Sequence, residues 1–224
     1  MARNQPQGIG AYVTGGTLLA SRIVNNYSTV NTGDSRGDGL CVEGGTVDRC
    51  LIATNGWTGV YLTNGAVKNS LITGHHGMKH NIYSGVSMPS GTGKLYNCTI
   101  VGNVSDAATD GRSGLQMAAG TAVNNIIYGN GSVGSCAITG GTFNTNIIGN
   151  AVAIGVGNLE VDPKFKDAAA GDFSIKSGST AVDAGAALPE VDVDFDGVAR
   201  PQKNGWDIGC YEYVPGSTRT LSIS

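Results

Sequence analysis

The chain has 224 residues, a formal net charge of −3 and 36 glycines, about twice the usual share. Charged residues make up 14% and hydrophobic residues 40%, which excludes disorder, and the glycines follow no three-residue period, which excludes collagen. The charge gives no reason to expect nucleic acid or an anionic membrane as partner. It is unevenly placed: residues 1–158 carry six acids and eight bases, residues 159–224 eleven acids and six bases. No apolar run reaches the length of a membrane span, so no membrane insertion is expected. "MARNQPQG" is not a signal peptide, so the chain is expected either to stay inside the cell or to lack its native start.

From residue 10 onward one pattern recurs six times: "GAYVTGGTLLASRIVNN", "GLCVEGGTVDRCLIATN", "GVYLTNGAVKNSLITGH", "GVSMPSGTGKLYNCTIVGN", "GLQMAAGTAVNNIIYGN" and "SCAITGGTFNTNIIGN". The anchoring glycines Gly16, Gly45, Gly65, Gly93, Gly120 and Gly141 are 29, 20, 28, 27 and 21 residues apart. Short alternating segments around a glycine turn predict short strands, and no stretch has a helical period. One column reads Ile23, Ile52, Ile72, Ile100, Ile127 and Ile148, and another Leu18, Val47, Val67, Leu95, Ala122 and Phe143. Stacked coils would place each column in one interior ladder, where a fully buried aliphatic contributes roughly 1.5–3 kcal/mol. No single copy could bury that face alone, which is the logic of a solenoid.

These coils resemble those of right-handed parallel β-helix proteins of the pectin-lyase-like group. The resemblance covers roughly residues 8–158 and implies an all-β fold: a right-handed parallel β-helix solenoid of six to eight coils with a C-terminal cap.

Ten residues after the anchoring glycine the copies read Asn26, Asn55, His75, Asn103 and Asn130, and the sixth reaches Asn150 one step early. His75 therefore stands in an asparagine ladder at a coil corner. His76 and His80 lie beyond it, in one of three long insertions: "YSTVNTGDSRGD", "HGMKHNIYS" and "VSDAATDGRS". All three leave the same corner, and coils stack at about 4.8 Å, so the insertions are expected to meet as one patch. It would gather Asp34, Arg36, Asp38, His76, Lys79, His80, Tyr83, Asp106, Asp110 and Arg112.

Many enzymes with this fold act on acidic polysaccharides. A lyase needs a base beside the substrate carboxylate and positive charge or calcium to hold the resulting anion. Lys79, His80 and Arg112 are the right types for catalysis, with Arg36, Tyr61, His76 and Tyr83 as candidate substrate contacts. Asp34 with Asp38, or Asp106 with Asp110, could supply oxygen ligands to calcium. No lyase signature matches by spacing, the coils lack the aspartate cluster of a polygalacturonase, and His76 with His80 has no evident third zinc ligand. Tyr12, Cys41, Tyr61, Ser87, Gln116 and Ala137 run along the outward side of the first strand, where tyrosines could stack on sugar rings. Of the five cysteines, Cys50 and Cys98 share an inward column but are two coils apart, too far to bond. Cys136 should also face inward and Cys41 outward.

Residues 159–213 leave the repeat. "DPKF", "DFSI", "AVDAG", the Asp196–Gly197 and Arg200–Pro201 pairs and "DIGCYE" resemble, in that order, the choice-of-anchor Q region that closes many bacterial β-helix proteins. The resemblance implies a secreted or cell-surface setting, though "VPGSTRTLSIS" (residues 214–224) shows no anchor. The segment is expected to cover the open edges of the last coil, with Arg200 paired to Asp196 or Asp207. "DVDFDG" imitates the first half of a calcium loop, making Asp192, Asp194 and Asp196 candidate ligands, but Lys203 stands where such a loop needs glutamate. At the other end the first coil, with Ala11, Val13, Leu18 and Ile23, is expected to be covered from outside, by upstream coils of a longer parent chain or by self-association. The functional expectation is an extracellular or cell-surface scaffold with glycan contact, the alternative a lyase acting on uronic-acid polysaccharide through the loop patch.

Overall fold

The structure is a computed structural model that describes residues 9–27, 39–77, 85–105, 113–131, 136–149 and 155–217. Two parallel sheets stack coil upon coil into a parallel β-helix solenoid. In the first sheet, three nine-residue strands, Ala11–Leu19, Leu40–Asp48 and Val60–Lys68, pair side by side. The next three coils split the same strand at the turn: Val86–Met88 and Lys94–Tyr96, Leu115–Met117 and Thr121–Val123, Cys136–Ile138 and Thr142–Asn144. The fourth coil has two extra residues there, Val86 and Lys94 being eight positions apart where their partners Val60 and Ala66 are six apart. Gly93 keeps the register, with Lys94 opposite Ala66, while Gly91 takes the left-handed backbone.

The second sheet stacks Arg22–Val24, Leu51–Ala53, Leu71–Thr73, Thr99–Val101, Ile126–Tyr128, Ile147–Ile148 and a last rung, Leu159–Glu160. Both expected aliphatic columns are in register. Ile23, Ile52, Ile72, Ile100, Ile127 and Ile148 are successive partners, as are Leu18, Val47, Val67, Leu95, Ala122 and Phe143. They form one core with Cys50 and Cys98. No disulfide joins the five cysteines, and burial raises the pKa of the Cys50, Cys98 and Cys136 thiols, which makes them poor nucleophiles.

Side-chain ladders hold both corners of the second sheet. Before its strands, Cys50 N donates to Ser70 Oγ (3.1 Å), and Cys98, Asn125 and Asn146 N donate to the amide oxygens of Asn125, Asn146 and Asn158 (2.9 Å each). After them comes the predicted asparagine ladder. Asn26 N donates to Asn55 Oδ1, His75 N to Asn103 Oδ1 and Asn103 N to Asn130 Oδ1, at 3.0–3.1 Å. Each amide nitrogen reaches back to the preceding isoleucine carbonyl: Asn55 to Ile23, Asn103 to Ile72, Asn130 to Ile100.

His75 imitates this arrangement with its ring. Nδ1 accepts from Asn55 N at 3.0 Å, where an asparagine would offer Oδ1, and Nε2 lies 3.1 Å from the Ile52 carbonyl, where it would offer Nδ2. Those partners require the neutral tautomer with its proton on Nε2. The ring is 1% exposed, and a Cβ at Gly59 would come within 2.3 Å of it, so the ring seats only over a glycine. Burial lowers its pKa to about 4.

The C-terminal segment starts by pairing Leu159–Glu160 onto the last coil and then runs along the outer face of the second sheet. Ile175, Ala181 and Ile208 pack on Ile126 and Ile147, while Cys210, Tyr211, Phe173 and Phe195 pack with Leu51, Leu71 and Val101. The outward residues of these short strands include Leu51, Leu71, Val101, Ile126 and Ile147, apolar side chains that need a cover. "DIGCYE" supplies it at backbone distance: Gly209 N donates to Asn124 O (2.7 Å) and Cys210 N to Thr99 Oγ1 (3.1 Å). A Cβ at Gly209 would meet Ile126 Cδ1 at 2.6 Å, and the residue sits at φ 97°.

Arg200 fixes this strap, with a different partner from the two expected. Its Nη1 pairs with Glu212 Oε1 at 2.8 Å, both side chains being at most 1% exposed. Its other N–H groups go to the carbonyls of Val193 (3.2 Å), Asp207 (3.1 Å) and Gly209 (2.8 Å). The Asp207 carboxylate instead accepts Asp183 N and Tyr213 N, and burial raises its pKa to about 6.

His75 gives the solenoid a defined acid response. Its folded pKa lies below that of the unfolded chain, so its contribution is whole above pH 6.5 and is lost as pH falls towards 4. The gap corresponds to roughly 3 kcal/mol. Asp207 is shifted the other way, so its effect favours the fold as pH falls through the same range, and it is shared by parent and variant. His75→Asn restores the ladder. Denaturant melts should show the variant as stable as the parent or slightly more so at pH 7.5, and increasingly more stable as pH falls from 6.5 to 4. A pH-independent difference would contradict the neutral, buried ring.

Candidate functional site

The site question turns on what happens after the asparagine corner. In the second coil the chain goes from Asn55 to Gly59 and directly into the next strand of the first sheet. In the first, third and fourth coils the described residues stop at Tyr27, Gly77 and Ser105 and resume at Gly39, Gly85 and Ser113. Where they resume, the chain is bonded to neighbouring coils, Gly39 N to Thr58 O (3.3 Å) and Gly85 N to Ser113 O (2.8 Å). Two of the stops are paired too. His76–Gly77 forms a parallel bridge with Val104–Ser105, with Val104 opposite His76. The first residues of the insertions in the third and fourth coils are therefore hydrogen-bonded neighbours.

His76 is exposed on that stem, beside exposed Val104. Lys79, His80, Tyr83, Arg36 and Arg112 lie outside the described residues, as do Asp34, Asp38, Asp106 and Asp110. The two histidines that the motif joins are chemically distinct. His75 is an uncharged corner post, and His76 is the surface group.

The outward column of the first sheet is in register throughout, Tyr12, Cys41, Tyr61, Ser87, Gln116 and Ala137 being successive partners. It is not the open face that alternation predicts. Cys41 is fully buried and Ser87 is 1% exposed, while Tyr61 is half-buried. Only Tyr12, at 46%, is well exposed, and its hydroxyl donates to the Glu43 carboxylate. Alternation fixes which way a side chain points; it says nothing of what lies over it.

In the strap, Asp194 is fully buried while Asp192 and Asp196 are exposed. Asp194 Oδ1 accepts the amides of Asp196 and Val198 (2.8 Å each) and Oδ2 that of Glu212 (2.9 Å). Its carboxylate thus organises the turn and ties it to Glu212. Among the described residues no group of three His, Cys, Asp or Glu side chains is arranged to hold a metal ion.

Two concave surfaces that the sequence did not point to flank the strap. One, of about 590 Å³, is lined by Tyr128, Phe165 and Phe173 together with Asp162, Lys164 and Lys176. Phe165 stands edge-to-face with both other rings, at 6.5 and 5.4 Å. The other, of about 620 Å³, shares Lys176 and adds Lys166, Ser174 and Gln202. The phenylalanines were visible in "DPKF" and "DFSI", but only the fold brings Tyr128 beside them.

Asp194→Asn replaces an acceptor with a donor facing an amide. It should lower stability by about 1–3 kcal/mol, equally in calcium and in chelator. A parent melt raised by calcium, with the increment lost in the variant, would instead make Asp194 an ion ligand.

No family model, no curated protein and no solved structure matches this chain, so its assignment rests on the fold and on these residues.

Proposed function

We propose that this protein is a non-enzymatic extracellular or cell-surface β-helix module, a rigid scaffold that presents its corner insertions for contact with acidic glycan. The observation that carries this is the pairing of His76–Gly77 with Val104–Ser105. It starts the insertion bearing Lys79, His80 and Tyr83 and the one bearing Arg112 from adjacent rungs of a stiff corner. Loops on a rigid framework are where binding groups concentrate. Cationic and aromatic side chains suit the carboxylates and ring faces of uronic-acid sugars. The surface setting rests on the resemblance of the strap to choice-of-anchor Q regions.

Titration with soluble polygalacturonate, alginate and a neutral glucan tests the reading. Binding to an acidic polymer, weakened at least several-fold in Lys79→Ala and Arg112→Ala and without new ultraviolet absorbance from unsaturated ends, is the expected result. New absorbance that both substitutions abolish would make the protein a lyase. Failure to bind any acidic polymer would remove the glycan role.

A further inference from the structure

Residues 159–224 are acidic, with eleven acids and six bases, yet three of those bases, Lys164, Lys166 and Lys176, belong to one hairpin. Its strands, Phe165–Asp167 and Asp172–Ile175, pair antiparallel with Phe165 opposite Ile175. One step out from that pair Lys176 N donates to Lys164 O at 3.1 Å, so two cationic residues stand opposite each other. Like charges so placed cost stability. The neighbouring acids are turned to the backbone: Asp162, Asp167 and Asp172 accept the amides of Lys164, Ala170 and Ser174 at 2.8–3.1 Å. Among the described residues none of the three lysines is ion-paired. Lys164 Nζ donates to the Gly178 carbonyl (2.8 Å), and Lys166 and Lys176 are exposed.

Lys164 and Lys176 line the same cavity as Tyr128, Phe165 and Phe173, three half-buried rings. Bare backbone lines it too, at Gly102 and Gly129, where Gly102 N donates to Gly129 O (3.2 Å). Both glycines are left-handed, at φ 66° and 64°, as are Asn25 and Thr54 at the same position of the first two coils, at 58° and 52°. That position therefore accepts a side chain. A Cβ at Gly129 would meet only Val101 Cγ2, at 4.0 Å, and one at Gly102 only Thr73 Oγ1, at 3.5 Å. The two glycines leave open a space that side chains of this column could fill.

We propose that this cavity binds a small carboxylate carried on a ring, from a sugar acid or an aromatic acid. Lys176, beside Lys164, takes the carboxylate in a charge-assisted hydrogen bond. The anion also relieves the repulsion between the two lysines. The aromatic trio takes the apolar face of the ring, and the glycines give it room; a mostly apolar lining with a few placed charges is the usual make-up of a small-molecule site. Inorganic phosphate would suit the lysines and leave the rings uncovered, and a neutral sugar would do the reverse. The site shares no residue with the corner insertions and stands independently of any glycan contact there.

Nuclear magnetic resonance of the full chain, titrated separately with galacturonate, benzoate, glucose and inorganic phosphate, tests this. Galacturonate or benzoate should shift the Phe165–Ile175 amides and the Phe165 and Phe173 rings saturably, and the acid that does so identifies the source of the ring. Glucose and phosphate should bind at least several-fold more weakly. Lys176→Ala should weaken the acid several-fold, and Lys203→Ala, an exposed lysine outside the cavity, should not. Gly129→Asn, which fills the space on a backbone that Asn25 already adopts, should also weaken it, with an unchanged circular dichroism spectrum. If that variant misfolds, Lys176→Ala decides. No saturable shift with either acid overturns the proposal, as does phosphate binding as tightly as the acids or undiminished binding in Lys176→Ala. Lys79→Ala and Arg112→Ala should leave the shifts unchanged; their loss would place the ligand at the corner insertions instead.

Discussion

In-register parallel stacking is the constraint from which the rest of this molecule follows. Each residue of a coil lies directly over its equivalent, about 4.8 Å away, so a side chain is chosen for what sits above and below it. Aliphatic columns satisfy that condition by packing, and the isoleucine column does so over six consecutive rungs. Polar columns satisfy it only where each donor meets an acceptor one rung away. Asparagine does this well because its amide offers both, and a buried amide left without partners costs about 1–3 kcal/mol.

This constraint also separates what can vary from what cannot. His75 enters the ladder because a neutral imidazole presents an acceptor and a donor where the amide does, and because Gly59 leaves room for the ring. Spacing between coils ranges from 20 to 29 residues while both aliphatic columns stay in register. In the sequence the long insertions, with Lys79, His80 and Arg112, follow this corner. The opposite demand operates on the second sheet, whose outward apolar residues are covered by a strap locked through the buried Arg200–Glu212 pair.

Much of the fold was legible because repetition reports spacing. The isoleucine column, the Leu18–Phe143 column and the asparagine corner could be aligned by eye, and each is a physical ladder. Residues outside the repeat were less legible. Arg200 stood near several acids in sequence, and only the path of the chain back to Glu212 selects its partner. Cys41 has the period of an outward residue, yet it is fully buried, because alternation carries no information about covering segments. Tyr128 reads as one more strand residue until Phe165 and Phe173 arrive beside it from the strap. Of the candidate patch, the described residues include the stems of two insertions, paired at His76 and Val104.

Methyl NOE spectroscopy on isoleucine-labelled protein addresses the stacking itself. Side chains one rung apart lie about 4.8 Å from each other and those two rungs apart nearly twice that. The expected spectrum is an unbroken chain of contacts from Ile23 through Ile52, Ile72, Ile100 and Ile127 to Ile148, with none that skips a rung. A missing link, or a contact joining residues two rungs apart such as Ile23 and Ile72, would contradict the in-register solenoid.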